Sequence, residues 1–203
     1  MRKLLSNVHV YIALQKGLGA DRLRRLALEV ANVQPGSSVL DVGCGPAYYL
    51  DQLPADIVYH GFDTHEPYLA FARKRWPHAV FHHGVFNEEG LPESTRFDVM
   101  LLLGLLHHVD DAEAASLLAL CAHRLAPGGR LVSADTAYVS GQRRVARWVA
   151  DNDRGEYVRA PVQYLRLAEM AFGQVEGAVL DVMRIPTSMW LMTSQQPRNP
   201  RAA

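Results

Sequence analysis

One short stretch, residues 38–49 with the sequence SVLDVGCGPAYY, limits the possible folds of this chain more than any other segment. A short apolar run leads into Asp41, and Gly43 and Gly45 follow with one residue between them. A strand that ends in a glycine turn is typical of the first strand of an open parallel sheet, where ligands lie at the carboxyl ends of the strands. The stretch therefore predicts a parallel sheet with a ligand site beside Asp41.

Strand-like and helix-like segments alternate along the rest of the chain. Short apolar runs predict strands at 39–42, 57–62, 79–83, 97–103, 130–134, 175–183 and 187–193. Helical periodicity predicts helices at 8–33 (interrupted near Gly17), 66–76, 112–125, 142–152 and 161–172. Because parallel strands need crossover connections, this order predicts a doubly wound α/β fold. Its sheet is mostly parallel and seven-stranded, with an antiparallel last strand and helices on both faces.

The length of 203 residues, with 49% hydrophobic residues, suits one domain with a substantial core. We divide this domain into an amino-terminal helical lid at 1–34 and a core at 35–194. The core contains a helical insertion at 137–172, and residues 195–203 form a loose tail.

The charge balance narrows the class of partner. Twenty-one basic and 21 acidic residues give a formal net charge of zero, so the chain lacks the positive field typical of nucleic-acid binders. Two cysteines, Cys44 and Cys121, are too few for a disulfide framework. With neither a signal peptide nor an apolar run long enough to span a membrane, a cytoplasmic protein with a small-molecule partner is expected. The oligomeric state stays open.

The glycine turn discriminates between nucleotide ligands. A dinucleotide fingerprint would place a third glycine where this chain has Tyr48, and a phosphate-binding loop would need Lys and Ser or Thr after the glycines. An acid before the glycines repels pyrophosphate but favours an ammonium group, so S-adenosylmethionine fits better. Asp63, 22 residues after Asp41, then stands where a carboxylate can accept hydrogen bonds from both ribose hydroxyls.

Four motifs resemble the class I S-adenosylmethionine-dependent methyltransferases over roughly residues 35–193: VLDVGCGPAYYL, GFDTHEPYL, FDVMLLLGLLHHVDD and LAPGGRLVSAD. The resemblance implies that Asp41, Gly43 and Gly45 hold the methionine end of the cofactor and that Asp63 holds the ribose. It also places Leu103 and Gly104 beside the methionine moiety.

Two positions depart from the family pattern. The third glycine of the first motif is Ala47, a small replacement. After the third strand, where the family often has Gly-Asp, the chain has Gly84-Val85-Phe86-Asn87. Phe86 or Asn87 would then supply the contact with the adenine, by stacking, through the backbone or through the side-chain amide.

Methyl transfer needs a general base only when the acceptor must lose a proton, and histidine is suited to that task. His107 and His108 are the candidate bases, with Asp135 as the orienting or competing carboxylate. Each has a structural alternative: a histidine paired with backbone at the mouth of the sheet, or a solvated loop acid for Asp135. No metal site is expected, because adjacent strand residues point to opposite faces and cannot readily converge on one ion.

Acceptor recognition is assigned to the segments outside the cofactor motifs. Tyr11 lies on the predicted lid. In the insertion, arginines alternate with aromatic residues: Arg154, Tyr157, Arg159 and Tyr164. This combination suits a carboxylate or phosphate on a small acceptor. The alternative is a solvated arginine face with ordinary ion pairs.

These observations together predict methyl transfer from S-adenosylmethionine to a small-molecule acceptor. Two alternatives remain open: methylation of a macromolecule, and a non-catalytic module that binds the cofactor or a partner on the same fold. A dehydrogenase is disfavoured by Tyr48. Fold analogy alone does not separate these functions.

Overall fold

A computed structural model of the chain describes residues 7–198. Its helices are α1 (Val8–Leu18), α2 (Ala20–Ala31), α3 (Glu66–Arg75), α4 (Asp111–Arg124), α5 (Arg144–Asp151) and α6 (Pro161–Glu169). Its strands are β1 (Ser38–Val42), β2 (Val58–Asp63), β3 (Val80–His83), β4 (Phe97–Leu103), β5 (Leu125–Thr136), β6 (Phe172–Leu180) and β7 (Met189–Pro197). Short 3₁₀ turns stand after β1, β3 and β4.

The strands of the described region form one sheet in the order β3-β2-β1-β4-β5-β7-β6. Neighbours from β3 to β5 pair in parallel, whereas β7 runs antiparallel to both β5 and β6. The predicted fold class, with an antiparallel last strand, is confirmed. Strand order reverses between β1 and β4, so the crevice at their carboxyl ends is where this topology places a ligand.

Alternate residues of the central strands fill two separate apolar layers. Val39 and Leu101 pack on one face with Ala27 of α2 and Leu69 of α3. The neighbouring strand residues, such as Leu40, face the opposite layer, where α4 and α6 pack. This alternation follows from the two-residue period of a strand. Both faces of the sheet are therefore covered, which is the condition for a parallel sheet.

The amino-terminal segment differs from the predicted lid. Helix α2 is part of the core, because Leu23, Ala27 and Ala31 are buried against the sheet. Only α1 lies outside this layer: its residues are exposed or half-buried, and Asn7 caps its first turn. A covering role is therefore limited to α1, and residues 1–6 of the predicted lid lie outside the described residues.

The carboxyl-terminal boundaries also differ from the prediction. Helix α6 ends at Glu169, and Phe172 begins β6 rather than ending the helix. Strand β7 continues to Pro197, which pairs with Phe172, so residues 195–197 belong to the sheet and not to a loose tail. Residues 199–203 of the predicted tail lie outside the described residues. Within residues 7–198, the helices are too short or too polar to cross a bilayer.

Candidate active site

The turn after β1 is held close to β2 by backbone hydrogen bonds. The amides of Gly43 and Cys44 both donate to the carbonyl of Phe62, at 2.8 and 3.0 Å. Gly43 and Gly45 have φ values of +77° and +56°, which glycine adopts without strain. A side chain at Gly43 would also meet Leu105, at 3.3 Å. The sequence spacing thus produces a tight glycine turn that packs against the end of β2.

Asp63 ends β2 beside this turn. One carboxylate oxygen accepts from the amide of Gly45 at 2.8 Å, and the other accepts from the amide of His65 at 2.7 Å. A carboxylate has about four lone-pair sites, so both oxygens keep capacity for further donors such as ribose hydroxyls. The structure therefore brings Asp63 and the glycine turn together, as the motif spacing predicts.

Asp41 occupies a different place from the one expected for a cofactor ligand. Its side chain is completely buried behind the glycine turn, and Oδ2 accepts from the hydroxyls of Tyr49 and Tyr59, at 2.5 and 2.6 Å. Burial raises the pKa of the Asp41 carboxyl to about 6, although the two tyrosine hydrogen bonds act in the opposite direction. Oδ1 is buried without a hydrogen-bond partner among residues 7–198. Direct contact with the methionine end stays a prediction that depends on this atom.

The loop after β3 corrects one predicted adenine contact. Phe86 is buried in the core, where its ring meets the ring of Phe62 edge-on at 5.1 Å, so stacking of Phe86 on an adenine is wrong. Asn87 uses its side-chain oxygen to cap a 3₁₀ turn, by accepting from the amide of Gly90 at 2.9 Å. Val85, which the sequence analysis did not select, is an exposed apolar side chain of this loop.

The turn after β4 faces the glycine turn. Gly104 adopts φ +83° and its amide donates to the carbonyl of Ala134, which directs the chain out of the sheet. Leu103 is half-buried just before it, and Leu105 packs over Gly43. The two turns therefore form opposite walls of the crevice between β1 and β4.

His107 is held between two carboxylates. Its Nδ1 lies 2.8 Å from Asp135 at the end of β5, and its Nε2 lies 3.4 Å from Asp153 in the insertion. Burial disfavours the imidazolium, but the hydrogen bonds with Asp135 and Asp153 outweigh burial and raise the pKa of His107 to about 9. A histidine that is protonated and paired at both nitrogens cannot accept a proton at neutral pH. The prediction of His107 as a candidate general base is therefore wrong.

His108 has the opposite character. Its side chain is exposed, and partial desolvation by its neighbours together with the nearby His107 cation lowers its pKa. Its ring lies 4.2 Å from the ring of His107. A neutral imidazole of this kind can accept a proton, which leaves His108 as the candidate base.

The structure also corrects the argument used against a metal site. Nitrogen atoms of His107 and His108 and an oxygen of Asp153 all lie within 4.8 Å of one another. Adjacent histidines converge here because they belong to a 3₁₀ turn and not to a strand. The ion pair of His107 with Asp153 already accounts for the proximity of these two residues, and the expectation of no metal stays a prediction.

Two of the predicted acceptor contacts are structural residues instead. The Arg159 guanidinium is 4% exposed; it pairs with Asp111 at 2.7 Å and donates to the carbonyls of Leu106 and Val109. Tyr164 is also buried, and its hydroxyl donates to the carbonyl of Thr136. Neither side chain is free for an acceptor, so both predictions are wrong.

The other predicted acceptor residues have exposed or half-buried side chains. Tyr11 of α1 stacks on Tyr68 of α3 with ring centres 4.8 Å apart, and its hydroxyl approaches the glycine turn. Arg154 and Tyr157 are exposed, and Arg154 is close enough to lower the pKa of His108. Tyr11 therefore lies beside the glycine turn, and Arg154 lies near the turn after β4.

Sequence reasoning did not select Tyr68, Asp153 or Arg24. Tyr68 follows Asp63 by five residues, on the first turn of α3, and this short spacing was a usable signal. Asp153 offered no such signal, because its partner His107 is 46 residues away in the chain.

Residues 39–129 of the chain match the methyltransferase domain family. A relative from Mycolicibacterium smegmatis named "Probable S-adenosylmethionine-dependent methyltransferase" is 34% identical over 96 residues, which are 46% of this chain and 36% of that protein. A dTDP-3-amino-3,6-dideoxy-alpha-D-glucopyranose N,N-dimethyltransferase from Streptomyces fradiae is 28% identical over 77% of this chain and 69% of that protein. The chain spans 36% to 52% of the lengths of three curated relatives.

Solved structures share the fold at low identity. The N-methyltransferase NodS from Bradyrhizobium japonicum superimposes with a TM-score of 0.67 at 17% identity, over 88% of this chain and 97% of that one. The [4+2]-cyclase SpnF superimposes with a TM-score of 0.66, also at 17% identity, over 89% of this chain and 82% of that one. Identities this low establish the architecture and not the reaction.

Proposed function

We infer the activity from the premise that this chain belongs to the class I S-adenosylmethionine-dependent methyltransferases, the family that its matching domain, its relatives and its fold have in common. The matching domain and the named relatives confirm the predicted family, and with it S-adenosylmethionine as the cofactor. We propose that the chain catalyses methyl transfer to a nitrogen or oxygen atom of a small-molecule acceptor. The acceptor class, its reacting atom and the cytoplasmic location are proposals.

One observation carries this function: Asp63 and the glycine turn form a joined unit at the switch point of the sheet. The carboxylate of Asp63 fixes the amide of Gly45 on one side and that of His65 on the other. The unit offers acceptor oxygens for ribose hydroxyls, and the turn sequence lacks the Lys-Ser/Thr pair of a phosphate-binding loop. The residues present therefore fit this cofactor.

The cofactor supplies an electrophilic methyl group, so the side chains mainly have to position the acceptor and exclude water. Tyr11 and Tyr68 provide apolar surface at the opening, and Arg154 provides a charge. His108 takes the proton when the acceptor nucleophile carries one. His107 contributes by holding Asp153, and with it the insertion, against the turn after β4.

Two features support a small acceptor. The formal net charge is zero, which gives no general attraction for a polyanion. The relative from Streptomyces fradiae is named for a small sugar-nucleotide amine. Macromolecular methylation and a non-catalytic module stay as alternatives, and the cyclase SpnF is a fold neighbour named for a different reaction.

The test is release of S-adenosylhomocysteine when the chain, supplied with S-adenosylmethionine, is given pools of small amines, amino sugars and phenols. We expect turnover with a small-molecule pool, and a 10²- to 10⁴-fold lower kcat for His108→Asn on the acceptor found, the usual contribution of a general base. Exposed His78→Asn is the matched control. Methylation confined to a protein or nucleic-acid fraction would contradict the small-molecule proposal.

A further inference from the structure

The reaction scheme above does not use a groove of about 480 Å³ at the junction of α1 and α2. Three segments build this groove: the end of α1, the start of α2 and the loop between β6 and β7. In that loop, the amide of Arg184 donates to the carbonyl of Leu18 at 3.0 Å. Gly19 lies so close to the loop that a Cβ on it would meet the Arg184 nitrogen at 2.8 Å. A backbone hydrogen bond and a close approach therefore hold the three segments together.

The groove carries a local excess of positive charge. Its lining contains four cationic side chains and one carboxylate: Lys16, Arg22, Arg25, Arg184 and Asp21. All four cations are exposed, and among residues 7–198 none of them forms an ion pair. By contrast, two exposed arginines of α3, Arg73 and Arg75, each pair with a carboxylate. A chain of zero formal net charge thus gathers cations at this one place without acidic partners.

The single carboxylate of the groove has other partners. Asp21 accepts from the hydroxyl of Tyr48 at 2.9 Å, and it lies within electrostatic range of the buried Arg24. Arg22 and Arg25 are three residues apart on α2, and like charges that are neighbours on a helix repel each other. The loop between β6 and β7 adds a third guanidinium to the same groove. An anion bound between these cations would relieve their repulsion.

The shape and lining of the groove favour one kind of anion. Its volume lies within the range of small-molecule sites. Val182 and Met183 of the lining are half-buried, so the described lining offers no exposed apolar side chain for insertion into a membrane. Guanidinium groups match phosphate oxygens in bidentate pairs, and a lysine adds a point charge. The number of cations favours a ligand with two or more negative charges.

We propose that this groove binds a small molecule that carries a phosphate or diphosphate group, at a site separate from the crevice between β1 and β4. The groove shares no residue with the glycine turn or with Asp63, so this proposal does not depend on the proposed function. Lys16 belongs to α1, the helix whose Tyr11 hydroxyl lies 3.9 Å from the place of a Cβ on Gly45. A bound anion would therefore connect the helix beside the glycine turn to α2 and to the loop after β6.

The test is calorimetric titration with pyrophosphate, uridine diphosphate and uridine, in the absence of S-adenosylmethionine. Uridine compounds are used because their base differs from the adenine of the cofactor. The proteins are the wild type, Arg25→Gln and Arg184→Gln, with Arg166→Gln as the matched control. Arg166 is an exposed arginine of α6, which packs on the opposite face of the sheet from α2.

We expect the wild type and Arg166→Gln to bind pyrophosphate and uridine diphosphate but not uridine. Each groove variant should bind both phosphates about 10-fold more weakly, because it lacks one charge-assisted hydrogen-bond donor. Equal affinities for the two phosphates would assign recognition to the phosphate alone, and tighter binding of uridine diphosphate would add contacts with the nucleoside. Both results support the proposal.

Thermal unfolding reports whether each variant folds, and Arg22→Gln replaces a groove variant that does not. The proposal is overturned if the wild type does not bind pyrophosphate, if the folded groove variants keep its full affinity, or if Arg166→Gln loses as much. Tighter binding of a single-stranded oligonucleotide, lost in the same groove variants, would also overturn the assignment to a small molecule. Failure of methyl transfer would leave these titrations unchanged, so the two proposals fail separately.

Discussion

The two walls of the crevice are built in different ways. The cofactor wall consists of the glycine turn and Asp63, joined by hydrogen bonds to backbone amides over 18 residues of sequence. The acceptor wall is joined by side chains, through the bridge from Asp135 to His107 to Asp153, and it combines a turn after β4 with the insertion after β5. The first wall depends on backbone geometry and the second on a buried ionic cluster. Substitutions and pH should therefore affect them differently.

The sharpest test of this difference is Asp135→Asn, which removes one carboxylate from the buried cluster. The variant removes the shorter of the two ion pairs of His107 and leaves only Asp153, at 3.4 Å, so we expect a loss of about 3 kcal/mol in the free energy of unfolding at pH 7, the lower end for a broken buried pair. The measurement is urea unfolding. Asp98→Asn is the matched control, because Asp98 is exposed and accepts hydrogen bonds from Ser38 at the amino-terminal ends of β4 and β1, far from the cluster. Equal losses in the two variants would contradict a special role for the cluster.

The same cluster predicts a pH dependence of stability. The pKa of His107 is about 9 in the folded chain and about 6.5 when unfolded, so its contribution is complete below pH 6.5 and disappears as the pH rises through 9. The shift corresponds to about 3 kcal/mol. We expect wild-type stability to fall between pH 6.5 and 9, and His107→Gln to lack this fall. A parallel decline of stability in the wild type and in His107→Gln would mean that another group causes the pH dependence.

Two arginines of the insertion allow the contribution of a buried charge to stability to be compared with that of an exposed charge. Arg159→Ala leaves three backbone carbonyls without their donor, so we expect about 2 kcal/mol of destabilisation. Arg154→Ala changes an exposed residue and should stay within about 0.5 kcal/mol of the wild type. Thermal unfolding measures both. Comparable stability of the two variants would mean that the hydrogen bonds of Arg159 do not stabilise the folded chain.

The smallest expected effect separates the two adjacent histidines. In an NMR titration of the imidazole resonances, His107 should stay protonated until about pH 9, whereas His108 should titrate below its ordinary value of about 6.5. Reversal of this order would make His107 the base after all. His108→Asn assigns the resonances.

The sequence was sufficient to predict which residues meet in the cofactor wall but not which residues meet in the acceptor wall. The reason for this difference is physical. Gly45 and Asp63 lie at the carboxyl ends of two neighbouring parallel strands, β1 and β2, so the motif spacing along the chain predicts their proximity. Arg159 was assigned to an acceptor because composition does not show burial; two of its carbonyl partners lie about 50 residues earlier in the chain. His107 was assigned as a base because the second carboxylate, Asp153, meets it only in the folded chain.

The fold shows the same difference: features that depend on nearby residues were predicted, and a boundary that depends on distant residues was not. Alternating periodicity located the seven strands and their helices, and the order of elements was sufficient for the sheet class. The start of β6 was placed three residues late, because Phe172 reads as the last apolar residue of α6. Its pairing with Pro197, 25 residues later, fixes the boundary. The exposed pattern of β6 gives no core-facing alternation from which to read that register.

The central claim is that Asp63 and the glycine turn form a site for S-adenosylmethionine. Its most direct test is calorimetric titration of the wild type and Asp63→Ala with S-adenosylhomocysteine and with NAD. We predict micromolar binding of S-adenosylhomocysteine, no binding of NAD, and a loss of about 1–3 kcal/mol for the variant, the cost of a deleted charge-assisted hydrogen bond. Binding of NAD, or S-adenosylhomocysteine affinity unchanged in a folded Asp63→Ala, would contradict the account.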